Sequence, residues 1–448
     1  MQKITKKSQL FIYGCAGLGV NMLNLIVGTY LCSALIVEGF AKGDIGLWTY
    51  ADKTLVVAVL WSILAFLTKV IDGIVDVPMS PFIDNLKTKW GRRKPAILMG
   101  FVPMILSYAL FLIIPDNGAT IKNTIWFAVL LGLFYLFYTM TMLTYYATFS
   151  EVTETEGDLL FLSNVKSFCD VVYFIMGYAI LPIFINLDIN IRTVAIIFMP
   201  LSLTMMIPFL LLREKSYEKT DKAEVVENKP VEEKITILKA INYSFKNKTF
   251  IYWMCVASIM NVGLQLFLSG INEFFSTTGI NMTFVMGSAF APVIFTLPLY
   301  GKIVKKKGLG FGYRYVLLMF SAGMSIMFLC HNVPKNVLLP LAIFCGILVS
   351  FAIGAFFSVT YTVPSFLAAE QSKEIGRNIS SMYFAVQGLF EGVAAGFATS
   401  VLLVFLKRQG YVEYMTIIVA FFCMIAFVMS FFLPEKVVMM GKAGKKEN

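Results

Sequence analysis

Charged residues are scarce in this chain of 448 residues. Asp, Glu, Lys and Arg together make up 14% of it, whereas hydrophobic residues make up 58%. A soluble globular domain carries about 25% charged residues. The hydrophobic residues occur in blocks of about 20, each long enough to cross a hydrocarbon core of ~30 Å. The composition therefore excludes an ordinary soluble domain and predicts an all-α polytopic membrane protein.

Residue types that hold metals, haem or disulfides are also few. The sequence has a single histidine, His331, and none of its seven cysteines shows C-x-x-C spacing. Cysteines within hydrophobic blocks are typical of core packing, and a lone histidine does not make a zinc or haem site. The sequence has no G-x-x-x-x-G-K-[ST] phosphate-binding loop and no nucleophile arranged with a base. We therefore expect no cofactor, no ATP-driven mechanism and no enzyme.

The hydrophobic blocks predict twelve transmembrane spans in two sets of six. The first set is predicted at 9–36, 48–77, 95–115, 122–148, 164–187 and 191–212, and the second at 250–272, 283–304, 314–331, 336–362, 379–405 and 412–433. The polar segment between the sets is typical of a flexible linker. The predicted domains are therefore an N-terminal half (1–212), the linker (213–249), a C-terminal half (250–433) and a tail (434–448). This layout is typical of the major facilitator fold.

The distribution of Lys and Arg predicts the orientation of the chain in the membrane. If the N-terminus is cytoplasmic, most of the 37 Lys and Arg residues fall in cytoplasmic segments. We therefore expect a multi-pass protein of a bacterial plasma membrane with both termini in the cytoplasm. The net charge of +10 lies in these loops, which argues against nucleic acid as a partner. The expected partners are a small solute and the bilayer, and the expected state is a monomer.

Three charged residues interrupt the second predicted span, where residues 69–76 read KVIDGIVD. Lys69, Asp72 and Asp76 are three and four apart and so share one helix face. Asp72 lies ~18 Å along the helix from Asp84 in the loop, near the middle of the membrane. Ionisable groups at that depth are costly and usually functional. The alternative is a structural ion pair, but one lysine neutralises only one aspartate. We predict a site that couples H⁺ or Na⁺, with Thr144 as a further oxygen ligand, and we favour the proton.

Polar residues at helical spacing in spans 1, 7 and 11 suggest a cavity between the two halves. Such stripes occur in both halves, as a substrate site at their interface requires. The alternative is polar packing between neighbouring helices. The residues predicted to bind substrate are Asn21, Asn24, Asn261, Gln265, Tyr383, Gln387 and Glu391. On span 5, Lys166 and Asp170 are instead predicted to form an intrahelical ion pair.

The first 100 residues resemble the glycoside–pentoside–hexuronide cation symporters, the family of melibiose permease, within the major facilitator superfamily. The resemblance rests on a Tyr-Gly start to span 1, on the charged face of span 2 and on the loop that follows. The matching residues are Tyr13, Gly14, Gly17, Gly19, Asn21, Lys69, Asp72, Asp76, Asp84, Asn85, Thr88, Lys89, Trp90, Gly91, Arg92, Lys94 and Pro95. The resemblance implies cation-coupled sugar symport.

The basic loop after span 2 has a degenerate counterpart after span 8, where the chain reads LYGKIVKKKGLGFGYR. In the resembled family such loops form charge clusters that hold helices in one conformation. The resemblance therefore implies a gating cluster here. Its members are Asp84, Arg92, Arg93, Lys94 and Arg377. The acidic loop that begins at Glu151 offers possible partners for them.

The sequence also departs from the family pattern. Asn21 stands where the family has a sugar-binding carboxylate, and Leu143 where an acid helps to bind the cation. Ala147 and Leu159 replace a tryptophan and an arginine, and Glu391 lies near the place of a lysine. The cargo therefore stays open between a sugar or glycoside and a less polar amphiphile, such as a steroid-like acid or a lysolipid. A non-transporting membrane sensor is a third hypothesis.

Overall fold

The structure is a computed structural model that describes residues 3–84, 86, 88–154, 156–214, 245–330, 333–375 and 380–442. Within these residues, regular structure is helical, and strand-like pairing is limited to isolated bridges such as Val56 with Thr120. Twelve helices in the described part of the chain are long and apolar enough to cross a membrane. The predicted fold class is therefore confirmed.

The twelve spans are numbered in chain order. Spans 1 to 6 occupy Lys7–Leu35, Ala58–Asp84, Arg93–Phe111, Ile121–Ala147, 156–186 and Ile191–Leu211. Spans 7 to 12 occupy Lys248–Thr278, Met282–Lys307, Leu309–Leu329, Lys335–Ile375, 380–409 and Val412–Ser430. Most of the predicted linker, residues 215–244, lies outside the described residues, so the predicted domain boundaries stay predictions.

Twelve spans place the start of span 1 and the end of span 12 on one face of the protein. We call this face, at which span 6 also ends and span 7 begins, the linker face. The other face carries the loops between spans 1 and 2, 7 and 8, and 11 and 12, and we call it the opposite face. Odd-numbered spans therefore run from the linker face to the opposite face, and even-numbered spans run back.

The predicted bounds of span 2 (48–77) are wrong at both ends, because the helix is Ala58–Asp84. The residues before it form an irregular segment packed on the first half. Tyr50 donates a hydrogen bond to the Phe111 carbonyl (3.0 Å), and Gly46 has a positive φ of +89°. Trp48 and Tyr50 are buried by protein rather than by lipid. Hydrophobicity alone does not distinguish burial in protein from burial in lipid, so an apolar run of this kind predicts a longer helix than the one observed.

In the described part of the chain, three spans contain a π-helical segment, in which the backbone N–H of residue i+5 bonds to the carbonyl of residue i. These segments are Ile26–Leu31 in span 1, Met176–Ile180 in span 5 and Phe397–Leu402 in span 11. Spans 5 and 11 hold equivalent positions in the two halves. Their shared π segment therefore supports the internal repeat that the loop sequences suggested. Such segments are rare and frequently occur at functional sites.

The two halves touch most intimately where span 2 crosses span 11. Gly388, Gly392 and Gly396 lie four residues apart and form one face of span 11. A Cβ atom added at Gly392 would lie 2.6 Å from the Lys69 carbonyl oxygen, and one at Gly73 would meet the Gly388 carbonyl oxygen. The glycines therefore let the two backbones come into contact, as small residues do in membrane helix packing. The charged segment of span 2 thus lies at the interface between the halves.

Candidate binding cavity

A cavity of about 250 Å³ lies between the two halves. Spans 1, 2, 4 and 5 line it from the first half, and spans 7 and 11 line it from the second. Its volume is close to the lower end of the range of small-molecule sites, about 300–1,000 Å³. A cavity walled by both halves is the arrangement that the polar stripes predicted.

Aromatic side chains form much of the wall from the first half. They are Trp61, Tyr135, Tyr173, Phe174 and Tyr178. Phe174 and Tyr178 both stack on Phe290 of span 8, with ring centroids 5.3 Å apart in each pair. This stack also joins the two halves. Flat aromatic faces beside hydroxyl and amide groups can hold a ring-shaped solute that has one apolar and one polar side.

The π-helical segments supply part of the cavity wall. Gly28 and Thr29 line the cavity from the segment in span 1, Tyr178 lines it from span 5, and Thr399 and Ser400 line it from span 11. Each π segment described above therefore lies at the cavity. Sequence periodicity gave no signal for these segments, because the hydrophobic pattern continues through them.

Three of the residues predicted to bind substrate line the cavity: Asn21, Asn24 and Gln265. The Asn21 side-chain oxygen accepts a hydrogen bond from Tyr138 (3.0 Å), and its amide nitrogen contacts Asp170 (3.4 Å). The side-chain oxygen of Asn24 is buried and has no hydrogen-bond partner. A buried acceptor without a partner is costly, so Asn24 contributes an unsatisfied polar group at the cavity wall.

The predicted polar stripe of span 11 is placed differently from the prediction. Tyr383 is buried near the linker face, where it accepts a bond from Asn247 (2.8 Å) and donates one to Gln371. Gln387 donates to the Glu391 carboxylate (2.7 Å) on its own helix. None of Tyr383, Gln387 and Glu391 is among the residues that line the cavity. The part of span 11 that lines the cavity begins at Thr399, about two helical turns after Glu391.

Span 7 divides in the same way. Gln265 and Ser269 line the cavity, whereas Asn261 does not and instead donates a long bond to the Glu391 carbonyl (3.5 Å). One helix face of span 7 therefore continues past the cavity into contact with span 11.

The charged face of span 2 reaches the cavity through Lys69. Its ammonium lies 3.9 Å from an Asp72 carboxylate oxygen and 3.5 Å from the centre of the Tyr135 ring. The other Asp72 oxygen lies 3.4 Å from the Thr139 hydroxyl on span 4. The side chain of Asp76 lies outside the described part of the structure. Lys69 and Asp72 therefore form a loose pair, one member of which faces the cavity.

The predicted role of Thr144 as the oxygen ligand beside this pair does not fit its position. Its hydroxyl is fully buried and donates to the Met140 carbonyl (2.6 Å) of its own helix. The span 4 hydroxyl that approaches Asp72 is that of Thr139. The two threonines are five residues apart and so point about 140° apart around the helix.

Three members of the predicted gating cluster, Arg92, Arg93 and Lys94, lie at the start of span 3 in the first half. Arg92 and Arg93 both pair with Glu151, at 2.7 and 2.6 Å. The Glu214 carboxylate accepts the backbone N–H groups of Arg92, Arg93 and Lys94, at 2.5 to 3.1 Å. It thereby caps the exposed donors at the start of span 3. The suggested pairing of the basic loop with Glu151 is confirmed.

Burial alone would raise the pKa of Glu151. Hydrogen bonds and positive charge from Arg93, and then from Arg92, outweigh that effect and lower the pKa below its ordinary value of 4.5. The side chain of Asp84 and the whole of Arg377 lie outside the described residues. The gating role of these five residues stays a prediction.

The predicted intrahelical pair on span 5 is confirmed, with 2.5 Å between Lys166 Nζ and an Asp170 oxygen. Sequence reasoning missed the contact of Asp170 with Asn21, which brings a carboxylate close to the cavity wall. It also missed Lys407, which lines the cavity and pairs with Glu273 at 2.6 Å. The predicted spans ended at residues 272 and 405, so both charges were assigned to loops.

Comparisons with known proteins bear on the family and the fold of the chain. The family described as MFS/sugar transport protein matches residues 12–433. The lactose permease of Lactobacillus helveticus is 30% identical over 128 residues, which make up 27% of this chain and 19% of that protein. The chain therefore matches less than a fifth of the length of this relative.

Solved structures share the fold at low sequence identity. A point variant of nucleoside transporter NupG gives a TM-score of 0.63 at 14% identity, covering 95% of this chain and 99% of that one. A bacterial homologue of the human lysosomal transporter Spinster, inward-facing and unoccupied, gives 0.58 at 12% identity, covering 98% and 99%. These likenesses confirm the predicted major facilitator fold.

Proposed function

The chain belongs to the MFS/sugar transport protein family, and on that premise we propose that it carries a sugar or glycoside across the membrane by cation-coupled symport. Fold and family are those of transporters of small solutes. The observation that carries the proposal is the cavity between the halves, where amide and hydroxyl groups lie beside aromatic rings. Such a wall complements a sugar ring, whose hydroxyl groups need hydrogen-bond partners and whose C–H face packs on an aromatic surface.

The position of Lys69 offers a way to couple the cation to the cargo. Lys69 faces the cavity, and Asp72 behind it is the carboxylate it pairs with. A proton or Na⁺ bound to Asp72 would weaken its attraction for Lys69. The ammonium would then be freer to bind cargo oxygens, so cation and cargo would each strengthen the binding of the other.

We favour the proton as the coupled cation. Na⁺ needs several oxygen ligands, and among the described side chains Thr139 supplies the one oxygen within hydrogen-bonding distance of the Asp72 carboxylate. A proton needs only the carboxylate.

We also propose that both termini lie in the cytoplasm of a cell with this protein in its plasma membrane, and that the protein acts as a monomer without a cofactor.

The test is solute uptake into proteoliposomes of the purified protein under an imposed proton gradient, an imposed Na⁺ gradient, or neither. A panel of radiolabelled sugars and glycosides is the cargo. The proposal expects accumulation of at least one of them with the proton gradient and only equilibration without a gradient. Accumulation under the Na⁺ gradient alone would show that the coupled cation is Na⁺ rather than the proton. Absence of uptake and of counterflow for every sugar would contradict the sugar proposal.

A less polar, amphiphilic solute is the second candidate, because the aromatic wall includes a close Tyr173–Phe174 stack with ring centroids 4.5 Å apart. Thermal stabilisation in detergent by steroid-like acids or lysolipids, with no stabilisation by sugars, would favour it. A non-transporting sensor would be stabilised by a ligand but would show no counterflow with that ligand.

A further inference from the structure

A buried ion pair lies at the end of the cavity nearest the opposite face. Glu273 near the end of span 7 and Lys407 near the end of span 11 approach to 2.6 Å, and their side chains are 0% and 2% exposed. Both belong to the second half of the protein. Lys407 also lines the cavity, so the pair is part of its wall.

The partner of this pair in the first half is Ser33 of span 1. The Ser33 hydroxyl donates to the Glu273 carboxylate, and the Lys407 ammonium donates to the Ser33 carbonyl (2.9 Å). The Phe40 ring covers the ammonium, with its centre 4.9 Å away. One serine therefore contacts both charges with its backbone and its side chain, and it does so across the boundary between the halves.

Neighbouring contacts close the same region. Asn272 donates to the Thr29 carbonyl (3.0 Å), and Ser276 accepts the backbone N–H of Ala41 (2.9 Å) and donates to Asp44. All three contacts join the last two turns of span 7 to span 1 or to the loop after it. The halves are thus held together between the cavity and the opposite face.

The arrangement suits a contact that opens and closes. A charge buried without its partner is very costly. Because Glu273 and Lys407 are both in the second half, they would stay paired when the halves separate. The bonds of the pair to Ser33 and its contact with Phe40 would break, and water could replace them. One carboxylate oxygen of Glu273 is buried without a hydrogen-bond partner, and hydration of the open state would satisfy it.

We propose that Glu273 and Lys407, held by Ser33, form the gate that closes the cavity on the opposite face. The inference rests on the proposed transport by alternating access, and it adds the residues that seal one side. Because Lys407 also faces the cavity, bound cargo is in reach of a gate residue. Arg92 and Arg93 of the predicted gating cluster, by contrast, pair with Glu151 near the linker face.

Cys32 provides a reporter for this gate, because it lines the cavity beside Ser33. The experiment uses the full chain with its other six cysteines replaced by serine. A membrane-impermeant maleimide is added to intact cells or to inverted vesicles, and the rate of Cys32 labelling from each side is measured. Uptake by the reporter background is measured in parallel with that of the parent.

Glu273→Gln leaves the Lys407 charge without its counter-ion in the closed state and should shift the protein to the hydrated, open state. We expect labelling of Cys32 from the opposite face to rise about tenfold. Ser33→Ala removes the hydroxyl contact between the halves without leaving a bare charge, and it should raise the rate about two- to threefold. The matched control is Glu370→Gln. It breaks the exposed Lys436–Glu370 pair of the same 2.6 Å length and should leave the rate unchanged.

Unchanged labelling from the opposite face in both Glu273→Gln and Ser33→Ala would overturn the gate. If Glu273→Gln does not fold, Ser33→Ala alone decides the question. Labelling and uptake separate the two proposals. If labelling changes as expected in a protein that takes up no sugar, the gate is supported and the proposed function is contradicted. If sugar is taken up but labelling is unchanged, the proposed function is supported and the gate is contradicted.

Discussion

At the scale of single residues, a substitution at Asn24 tests whether this side chain binds cargo or only packs against its neighbours. Asn24 lines the cavity, and its side-chain oxygen is buried without a hydrogen-bond partner. Replacing an unsatisfied buried polar group with an apolar one of similar size is close to neutral or stabilising. We therefore expect Asn24→Leu to keep or raise the melting temperature in detergent while it weakens cargo binding about tenfold, or ~1.4 kcal/mol.

Asn123 is the matched control for that experiment. It is also buried, but its amide donates to the Asp116 and Gly118 carbonyls at 2.7 and 3.0 Å. Asn123→Leu should lower the melting temperature and leave cargo affinity unchanged. If both variants lose stability alike and neither changes affinity, Asn24 is a packing residue.

Glu151 makes the stability of the loop cluster depend on pH. Its folded-state pKa lies below the ordinary value of 4.5 because of Arg93 and Arg92. A carboxyl group of this kind adds stability above its unfolded-state pKa, and that stability is lost as the pH falls through the folded-state pKa. We expect the melting temperature to fall as the pH is lowered from about 5 to 3, across and below the ordinary value of 4.5, and to fall less steeply in Glu151→Gln. The control, Glu413→Gln, removes an exposed carboxylate and should keep the parental slope.

At the scale of helices, the glycine face of span 11 fixes the distance to span 2. Gly392→Ala would place a Cβ 2.6 Å from a backbone oxygen, which cannot move as a side chain can. We expect a lower melting temperature and slower uptake, because the segment with Lys69 must shift. Gly287→Ala is the control, since nothing lies within 4 Å of its added Cβ. Alanine there should be neutral or stabilising by ~0.5–1 kcal/mol. Equal effects of the two substitutions would contradict the importance of this crossing.

Helix number and the position of the charged segment were predictable, because burying ionisable groups in lipid is so costly that they stand out in the sequence. Helix ends were less predictable. Span 2 begins at Ala58 because Trp48 and Tyr50 are buried in protein, and Glu273 was missed because span 7 continues to Thr278. The π segments and the choice of Thr139 over Thr144 depend on how helices pack, which periodicity does not encode.

At the scale of the whole molecule, three features lie along one path through the protein. The pair of Lys69 and Asp72 lies where span 2 crosses span 11, the cavity lies between the halves, and the Glu273–Lys407 contact closes it toward the opposite face. Residues of the first half thus hold the proposed cation site, whereas the proposed gate charges belong to the second. A change where span 2 crosses span 11 would therefore alter the contact between the halves both at the Lys69–Asp72 pair and at the Glu273–Lys407 contact.

The most direct test of this account is uptake by Asp72→Asn in proteoliposomes under a proton gradient, compared with counterflow exchange of the same solute. The variant lacks the carboxylate of the proposed coupling site but keeps its shape. The account predicts that gradient-driven accumulation falls to equilibration while counterflow continues, and that Asp116→Asn, in an exposed loop, behaves like the parent. Unchanged accumulation by Asp72→Asn would contradict the account.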